Sequence, residues 1–512
     1  MIRAITKLRL GAAAAIGLSI LMSCASADGG SAAREEPASS PPVAEAAQAK
    51  SPATKAAPAK APAAASLSPA KKPTPEKAPP PIEMDAYYKA SIADYRREVL
   101  SNGVSLAVKR RPGTRKASAR IVIARDGGGG AAQSGYEALA LAAAARPLSS
   151  RGVSAALRFE DWDKVSLELD GPAESLSEAL ALAAKALASP SVSEADFEAA
   201  LRESRVAERR ESGDPFVRAR TELRAARFGD AARGTPPRGT AASLAGATRE
   251  NVMRYWSERF SPDKVSVAVV GDFDPDRLAE TLAAAFGRLS GSAGASAKGV
   301  RAEAPFGPWF KAAALPAMPG QALLRGEFAV PEASSPDYPA MIVALAALED
   351  LALESLRPSR TRLSFDLLPA AEVSLLGSFD PAVAKAAIDK AASELAGGRC
   401  LEASSGEARL APISTSLEAY KARAMAAVYA GGASSAGMAA RIAYDLSSGG
   451  DGAALFRLSS RLKAVRAEDV SRAAKRWLIE SPSAWIALGD PSLLSGLSPA
   501  AFVPRGSAPS KP

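Results

Sequence analysis

The chain has 512 residues, a net charge of +9, 5% aromatic residues and no histidine. That length exceeds one ordinary domain, so two or more folded units are expected, and without histidine neither Ser-His-Asp nor Cys-His catalysis can be assembled. The positive charge does not indicate nucleic acid, because six lysines crowd between Lys50 and Lys77, the other basic residues are scattered, and stacking platforms for bases are scarce.

At the start, Arg3, Lys7 and Arg9 precede an apolar run from Leu10 to Met22, and Leu21-Met22-Ser23-Cys24 follows. A charged start, a short apolar middle and a small residue before the cut make a secretory signal over residues 1–24. The run falls short of the roughly 20 apolar residues that a transmembrane helix needs, and no other segment is long and apolar enough to span a bilayer. Leu-Met-Ser-Cys resembles the lipobox of bacterial lipoproteins, which makes Cys24 the expected lipidation site and a membrane the first partner. An ordinary cleaved signal with an incidental Cys24 is the competing reading. Ala25 stands where inner-membrane retention would place an aspartate, which points to the outer membrane of a bacterial envelope. Lipidation of Cys24 leaves Cys400 without an intramolecular partner, as a free thiol or a small core residue.

Residues 25–85 are Ala, Pro, Ser and Lys with almost no large apolar side chain, a composition that predicts a disordered, partly polyproline linker. As a flexible coil of about 60 residues it would separate its ends by roughly 40 Å. Folded sequence is expected from Tyr95. Glu98-Val99-Leu100, the turn Ser101-Asn102-Gly103 and Val104–Val108 predict a hairpin, and Ala119–Ala124 predicts a strand. Tyr136–Ala145 has helical composition. Val165–Leu169 alternates as a half-buried strand does, and helices are predicted over Ala173–Ala188 and Glu194–Arg210, the latter capped by Ser193.

An internal repeat organises the rest. Leu244, Glu250, Asn251, Val252, Arg254, Gly271 and Asp272 are matched by Leu462, Glu468, Asp469, Val470, Arg472, Gly489 and Asp490, each pair 218 residues apart. In both copies a capped amphipathic helix leads to a short apolar strand, Val265–Val270 or Ala484–Leu488, that ends in Gly-Asp. The expectation is an α+β fold of two tandem homologous domains, residues 95–290 and 305–495, with helices packed on mixed or antiparallel sheets and a disordered tail over 496–512. The Gly/Ala/Ser-rich stretch from Ser290 to Pro308 joins the copies.

Leu100-Ser101-Asn102-Gly103-Val104 resembles the opening of the insulinase–pitrilysin family of zinc metallopeptidases, to which the mitochondrial processing peptidase belongs. Val265–Phe273 resembles the close of that family's first domain, and Asp337-Tyr338-Pro339-Ala340 through Ser355-Leu356-Arg357 the start of its second. Active members carry HxxEH on an early helix, where two histidines four apart bind Zn²⁺ and the glutamate activates a water. Here Gly135–Ala142 occupies that place, with Ala138 and Ala142 for the histidines and Leu141 for the glutamate. Glu137 lies one position before the motif, and Glu208 lies near the place of the third ligand, displaced by one residue. The resemblance therefore implies a member without its metal: no zinc, no cofactor and no catalytic residue. It also implies a candidate peptide contact at Arg357, with an ordinary exposed arginine as the alternative. Phe365 stands at the place of the family's substrate-gripping tyrosine and is expected to pack in the core. Asp126-Gly127-Gly128-Gly129-Gly130 lacks the Lys-Ser/Thr of a phosphate loop and is expected to be a flexible turn. The remaining carboxylates are expected mostly on solvated helix faces.

Three functions are compatible with these features. The first is a membrane-tethered, non-catalytic peptidase homologue that binds peptides or serves as partner subunit to a relative bearing HxxEH. The second is a stand-alone envelope scaffold or peptide-binding lipoprotein. The third is a peptidase with non-zinc chemistry resting on Glu137 or Glu208. Nucleic acid is not an expected partner of any of them.

Overall fold

In a computed structural model, residues 85–502 are described, apart from 126–129, 160–161, 189, 230, 291–307, 357–361, 367–370 and 403–408. The signal, Cys24, the linker, most of the glycine run, the joining stretch and Arg357 lie outside the described residues.

Asp85 opens the body by accepting the Tyr88 amide at 3.0 Å, which caps helix α1 (Ala86–Ala93). This helix precedes the start expected at Tyr95. No side chain of α1 is fully buried, so no apolar periodicity marks it in the sequence. Strands β1 (Tyr95–Val99) and β2 (Ser105–Arg110) form the predicted hairpin, with Val99 opposite Ser105, and Gly103 takes φ +90° in its turn. There follow β3 (Lys116–Ala124), α2 (Tyr136–Ala145), β4 (Ser154–Arg158), β5 (Lys164–Pro172), α3 (Ala173–Ala188), α4 (Glu194–Gly213), α5 (Pro215–Phe228), α6 (Ala241–Ala245), α7 (Arg249–Arg259), β6 (Val265–Gly271) and α8 (Pro275–Phe286). Ser193 caps α4 by accepting the Asp196 amide at 3.1 Å.

The second half contains β7 (Trp309–Ala314), β8 (Ala322–Phe328), α9 (Asp337–Leu356), β9 (Arg362–Asp366), β10 (Ala371–Gly377), α10 (Pro381–Ala396), β11 (Arg399–Leu401), β12 (Leu410–Pro412), α11 (Leu417–Gly432), α12 (Ser435–Ser447), α13 (Ala454–Lys463), α14 (Ala467–Ala474), β13 (Ser483–Gly489) and α15 (Pro491–Leu494). Cys400, on β11, is buried and free, and burial pushes its thiol up. No described helix is long and apolar enough to cross a membrane.

The fold is α+β, and the repeat is visible in its topology. The sheets run β1-β2-β6-β3-β5-β4 and β7-β13-β8-β10-β9. From β2 onward the orders coincide, including the parallel pairs β2–β6 and β7–β13 and the antiparallel pairs β3–β6 and β8–β13. The Gly-Asp signatures have one cause in both copies. A Cβ at Gly271 would lie 2.5 Å from the Ala117 side chain, and one at Gly489 would lie 2.4 Å from the Gln321 carbonyl. The aspartates then receive hairpin amides, Gly113 on Asp272 at 2.8 Å and Gly320 on Asp490 at 2.7 Å. Asn251 and Asp469 each accept the amide of their helix's N-cap residue at 2.9 Å.

One face of each sheet is covered by helices of its own half. In the first, Leu106, Val108, Ile121, Ile123, Leu167, Leu169, Val267 and Val269 join a single core with residues of α2, α3, α7 and α8. The other face is covered from across the molecule. Helix α12 of the second half packs on β3 and β6 of the first sheet, and helix α5 of the first half packs on β8 and β13 of the second. Ala439, Ile442, Ala443 and Leu446 of α12 share a core with Ala107, Val122, Ala268 and Val270, and Ala219 and Leu223 of α5 share one with Leu323, Ala484, Ile486 and Leu488.

This exchange corrects the expectation for β5. Its Val165/Leu167/Leu169 row faces the core as predicted, but Ser166 and Glu168 on the opposite face are buried too, where they pair with Arg120 and Arg158 of the neighbouring strands. The chain end also differs from a tail starting at 496. Ser498 caps a short turn over Pro499–Ala501, and Phe502 is buried, stacked on Phe310 with ring centroids 3.8 Å apart. Ile442→Ala, which leaves a cavity under α12, is expected to destabilise the body by about 2–5 kcal/mol in denaturant titration, with both halves unfolding in one transition.

Candidate functional site

Helix α2, where the metal motif would lie, is built into the first core. Ala138 and Leu141 are buried in it, and Ala142 is half-buried, as α2 packs on α4 and α7. Glu137 is buried as well, and its role is structural. It accepts the Tyr255 hydroxyl from α7 at 2.7 Å and sits 3.6 Å from the Arg125 guanidinium. Arg125 in turn donates to the carbonyls of Trp162 at 2.5 Å, Ala232 at 3.2 Å and Thr235 at 3.3 Å. Ser134, just before α2, donates to the Pro236 carbonyl at 2.6 Å. Beside Glu137, Tyr255, Arg259 and Lys264 line a void of about 20 Å³, room for a single water. Glu208 is half-buried on α4. Among the described residues no group of three or more His, Cys, Asp or Glu side chains could hold a metal ion.

Each sheet carries a buried ionic cluster. Arg120, in the middle of β3, donates to Ser166 at 3.3 Å and to Glu168, and Arg158 donates to Glu168 at 2.7 Å. Arg325, in the middle of β8, donates to Ser374 at 3.1 Å and to Glu372. The two arginines hold the same register: Arg120 is opposite Ala268 on β6, and Arg325 is opposite Ile486 on β13. Their partners have exchanged places, since Glu168 is directly across from Arg120 while Ser374 is across from Arg325.

Helix α5 adds a row of arginines to the second cluster. Arg220 reaches Glu372 at 3.0 Å, Arg227 reaches Glu327 at 3.4 Å, and Arg224 lies 3.7 Å from Glu327 and 3.6 Å from Glu372, with its guanidinium 5.4 Å from the Trp162 ring centre. Burial alone would raise the Glu372 carboxyl, but the charges of Arg325, Arg220 and Arg224 outweigh it and hold it at about 2. Burial lowers Arg227 to about 10 against the pull of Glu327, which leaves it charged at neutral pH. Asp163 is held below the usual carboxylate range, where Lys164 and Arg233 overcome its burial. These acids are exceptions to the expectation that carboxylates lie mostly on solvated helix faces. The signal in the sequence was an arginine or glutamate inside an apolar strand, as in Ala119-Arg120-Ile121-Val122 or Leu324-Arg325-Gly326-Glu327.

The sequence model of the M16 peptidase inactive domain matches residues 246–360, the stretch from α7 to the end of α9 that holds the first Gly-Asp signature. Over that stretch the chain is similar to the M16 peptidase inactive domain. Solved structures carry the same fold at low identity. An M16 inactive domain from Pseudomonas fluorescens superposes with a TM-score of 0.62 at 15% identity, covering 77% of this chain and 98% of its own. A protease from Helicobacter pylori gives 0.61 at 15%, covering 77% and 99%. A chain of complex III2 from Candida albicans gives 0.58 at 16%, covering 79% and 97%. No curated protein matches at the level of sequence.

Within this M16 fold the sequence-derived positions do not converge on one pocket. Ala138 and Leu141 are core residues, Phe365 is opposite Val373 on the β9–β10 ladder, and Arg357 is outside the described residues. The ionic layer was not anticipated. Arg224→Ala, which leaves Glu327 to Arg227 and Glu372 to Arg325 and Arg220, is expected to cost about 1–3 kcal/mol in denaturant titration, with part regained in Arg224→Met. Because the folded Glu372 carboxyl lies near 2 and its ordinary value is 4.5, its stabilisation is complete above the ordinary value and lost as pH falls toward the folded one. Urea midpoints measured from pH 5 down to about pH 3 should therefore fall more steeply for the native chain than for Glu372→Gln.

Proposed function

We propose that the chain is a catalytically silent M16-type body, held at the bacterial envelope by a lipid on Cys24, that binds peptides or acts as partner subunit to an HxxEH-bearing relative. The observation that carries the reading is the replacement around α2. A helix at the place of the metal motif presents Ala138, Leu141 and Ala142, of which the first two are consumed by the core, while the duplicated two-sheet body is retained. Loss of ligands with retention of the body is the expected outcome when selection acts on surfaces and not on hydrolysis. The match of residues 246–360 to an inactive domain supports silence. The likeness to a chain in complex III2 supports a subunit role, since that chain is part of an assembly.

In this reading the two halves, 95–290 and 305–495, are the domains, Arg357 is a candidate contact for a peptide carbonyl or carboxylate, and residues 25–85 are the leash. Peptide held by Arg357 would gain from the fork of guanidinium donors, which lysine cannot reproduce.

Purified full-length protein should contain no stoichiometric zinc by elemental analysis, and should cleave no peptide in a broad substrate library with or without added zinc. Zinc-dependent cleavage would refute silence. Metabolic labelling with a radiolabelled fatty acid should mark the native protein and not Cys24→Ala, and equal labelling of both would refute the anchor. Affinity purification should recover a relative containing HxxEH in equimolar amount. A monomer in sedimentation with no such relative would favour the scaffold reading instead.

A further inference from the structure

Among the described residues seven large apolar side chains are exposed, and two of them, Tyr87 on α1 and Tyr429 on α11, meet edge to face with ring centres 5.4 Å apart. Ala90, one turn along α1 from Tyr87, and Ala426 and Ala433, one turn to either side of Tyr429, are exposed as well, small residues that leave the rings standing clear. Lys463 of α13 adjoins Tyr429 and donates to Asp85 at 2.9 Å, at the point where the predicted linker meets the body.

Beside the tyrosines lies the β2–β3 turn. Five of the eight residues from Lys109 to Lys116 are basic, a local exception to the scatter of cations. Arg111 joins this turn to the tyrosines. It donates to the Ala433 carbonyl at 2.6 Å, and its charge opposes the rise that burial gives the Tyr87 hydroxyl. Arg110, Arg115 and Lys116 are exposed, with Arg110 held 3.4 Å from Asp272. Gly113, at φ +78°, has open space where a side chain would be, so the turn projects. The duplication supplies an internal control. The equivalent β7–β8 turn, Leu315-Pro316-Ala317-Met318-Pro319-Gly320-Gln321, carries no charge, yet its Gly320 amide reaches Asp490 at 2.7 Å as Gly113 reaches Asp272 at 2.8 Å. The fold therefore does not require cations in this turn.

We infer that the β2–β3 turn, with Tyr87 and Tyr429, is a docking surface for an anionic lipid bilayer. Such a surface offers phosphate to the cations, and beneath it an interfacial layer in which tyrosine rings settle with their hydroxyls in water. The position of the linker favours this occupant. The chain enters the body at Asp85, inside the same patch, so a body carried on a linker of about 60 residues meets the bilayer at high effective concentration and needs only a weak surface to lie on it. This rests on the envelope reading above and extends it from an anchor to an orientation.

Vesicle co-flotation tests it, using the chain from Ala25 onward, which lacks Cys24 and keeps the whole compact body. At low salt this chain should float with phosphatidylcholine vesicles containing phosphatidylglycerol and not with phosphatidylcholine alone. Arg115→Gln with Lys116→Gln should weaken binding roughly 25-fold, at about fivefold per cation, and Tyr87→Ser with Tyr429→Ser about tenfold. Arg209→Gln with Arg210→Gln, exposed on α4, removes the same charge elsewhere and should change binding by less than about twofold. Urea midpoints should match the native chain in all three variants. Equal weakening by the two charge pairs, or unchanged binding in either patch variant, would assign the vesicle contact to net charge or to the linker lysines and overturn the docking surface. So would self-association without vesicles that Tyr87→Ser abolishes, which would give the patch to a second copy. If Cys24 proves unlipidated in cells, the anchor falls and this surface, measured without it, stands.

Discussion

Each half of this molecule is finished by a helix from the other. A sheet buried on both faces needs two covers, and each sheet receives only one from its own helices. The second comes across the molecule, α12 onto β3 and β6, α5 onto β8 and β13. Neither half can be withdrawn without exposing a strand face to water, and the body from Ile82 onward accordingly forms one compact unit despite its duplicated topology. The exchange also explains how strands with serine, arginine and glutamate on alternate positions remain buried. Their polar row meets polar partners and a helix, not solvent.

The two crossings follow different physics. Under α12 the contact is aliphatic, with Ile442 and Ala443 on Val122 and Ala268. Under α5 a short apolar contact is extended by three arginines over Glu327 and Glu372. Arg224 and Ile442 are separated by the same 218 residues as the sequence repeat, so one copy has an arginine where the other has isoleucine. A face carrying Arg220, Arg224 and Arg227 cannot lie on Ala107, Val122 and Val270 without stranding its charges. The helices are therefore not interchangeable, and the ionic layer selects which sheet each one covers. Buried ion pairs are poor sources of net stability, and specificity of this kind is their better-attested use.

Helix α2 shows the same economy of packing. It turns Ala138 and Leu141 inward, and Glu137 beside them is engaged by Tyr255 and Arg125. A carboxylate so held orders the segment before α2 and the loop around Thr235.

Much of this was legible in the chain itself. The hairpin at Asn102-Gly103, the span Tyr136–Ala145, the Ser193 cap and the paired Gly-Asp signatures are set by local chemistry: positive φ, helix propensity, side-chain capping and close approach at a strand end. Such features depend on near neighbours in sequence, and so they can be read there. The absence of histidine likewise decided against imidazole chemistry before any fold was known. Only tertiary structure decided that β5 is buried on both faces, that α5 and α12 are exchanged, and that Glu168, Glu327 and Glu372 are interior. These depend on residues well outside the local segment, from Arg120 and Arg325, 48 and 47 positions from Glu168 and Glu372, to Arg220, 152 positions from Glu372, and a charge in an apolar strand does not announce its partner. The helix at Ala86 and the buried Phe502 escaped because what holds them is distant in sequence, the second half for the helix and Phe310 for Phe502.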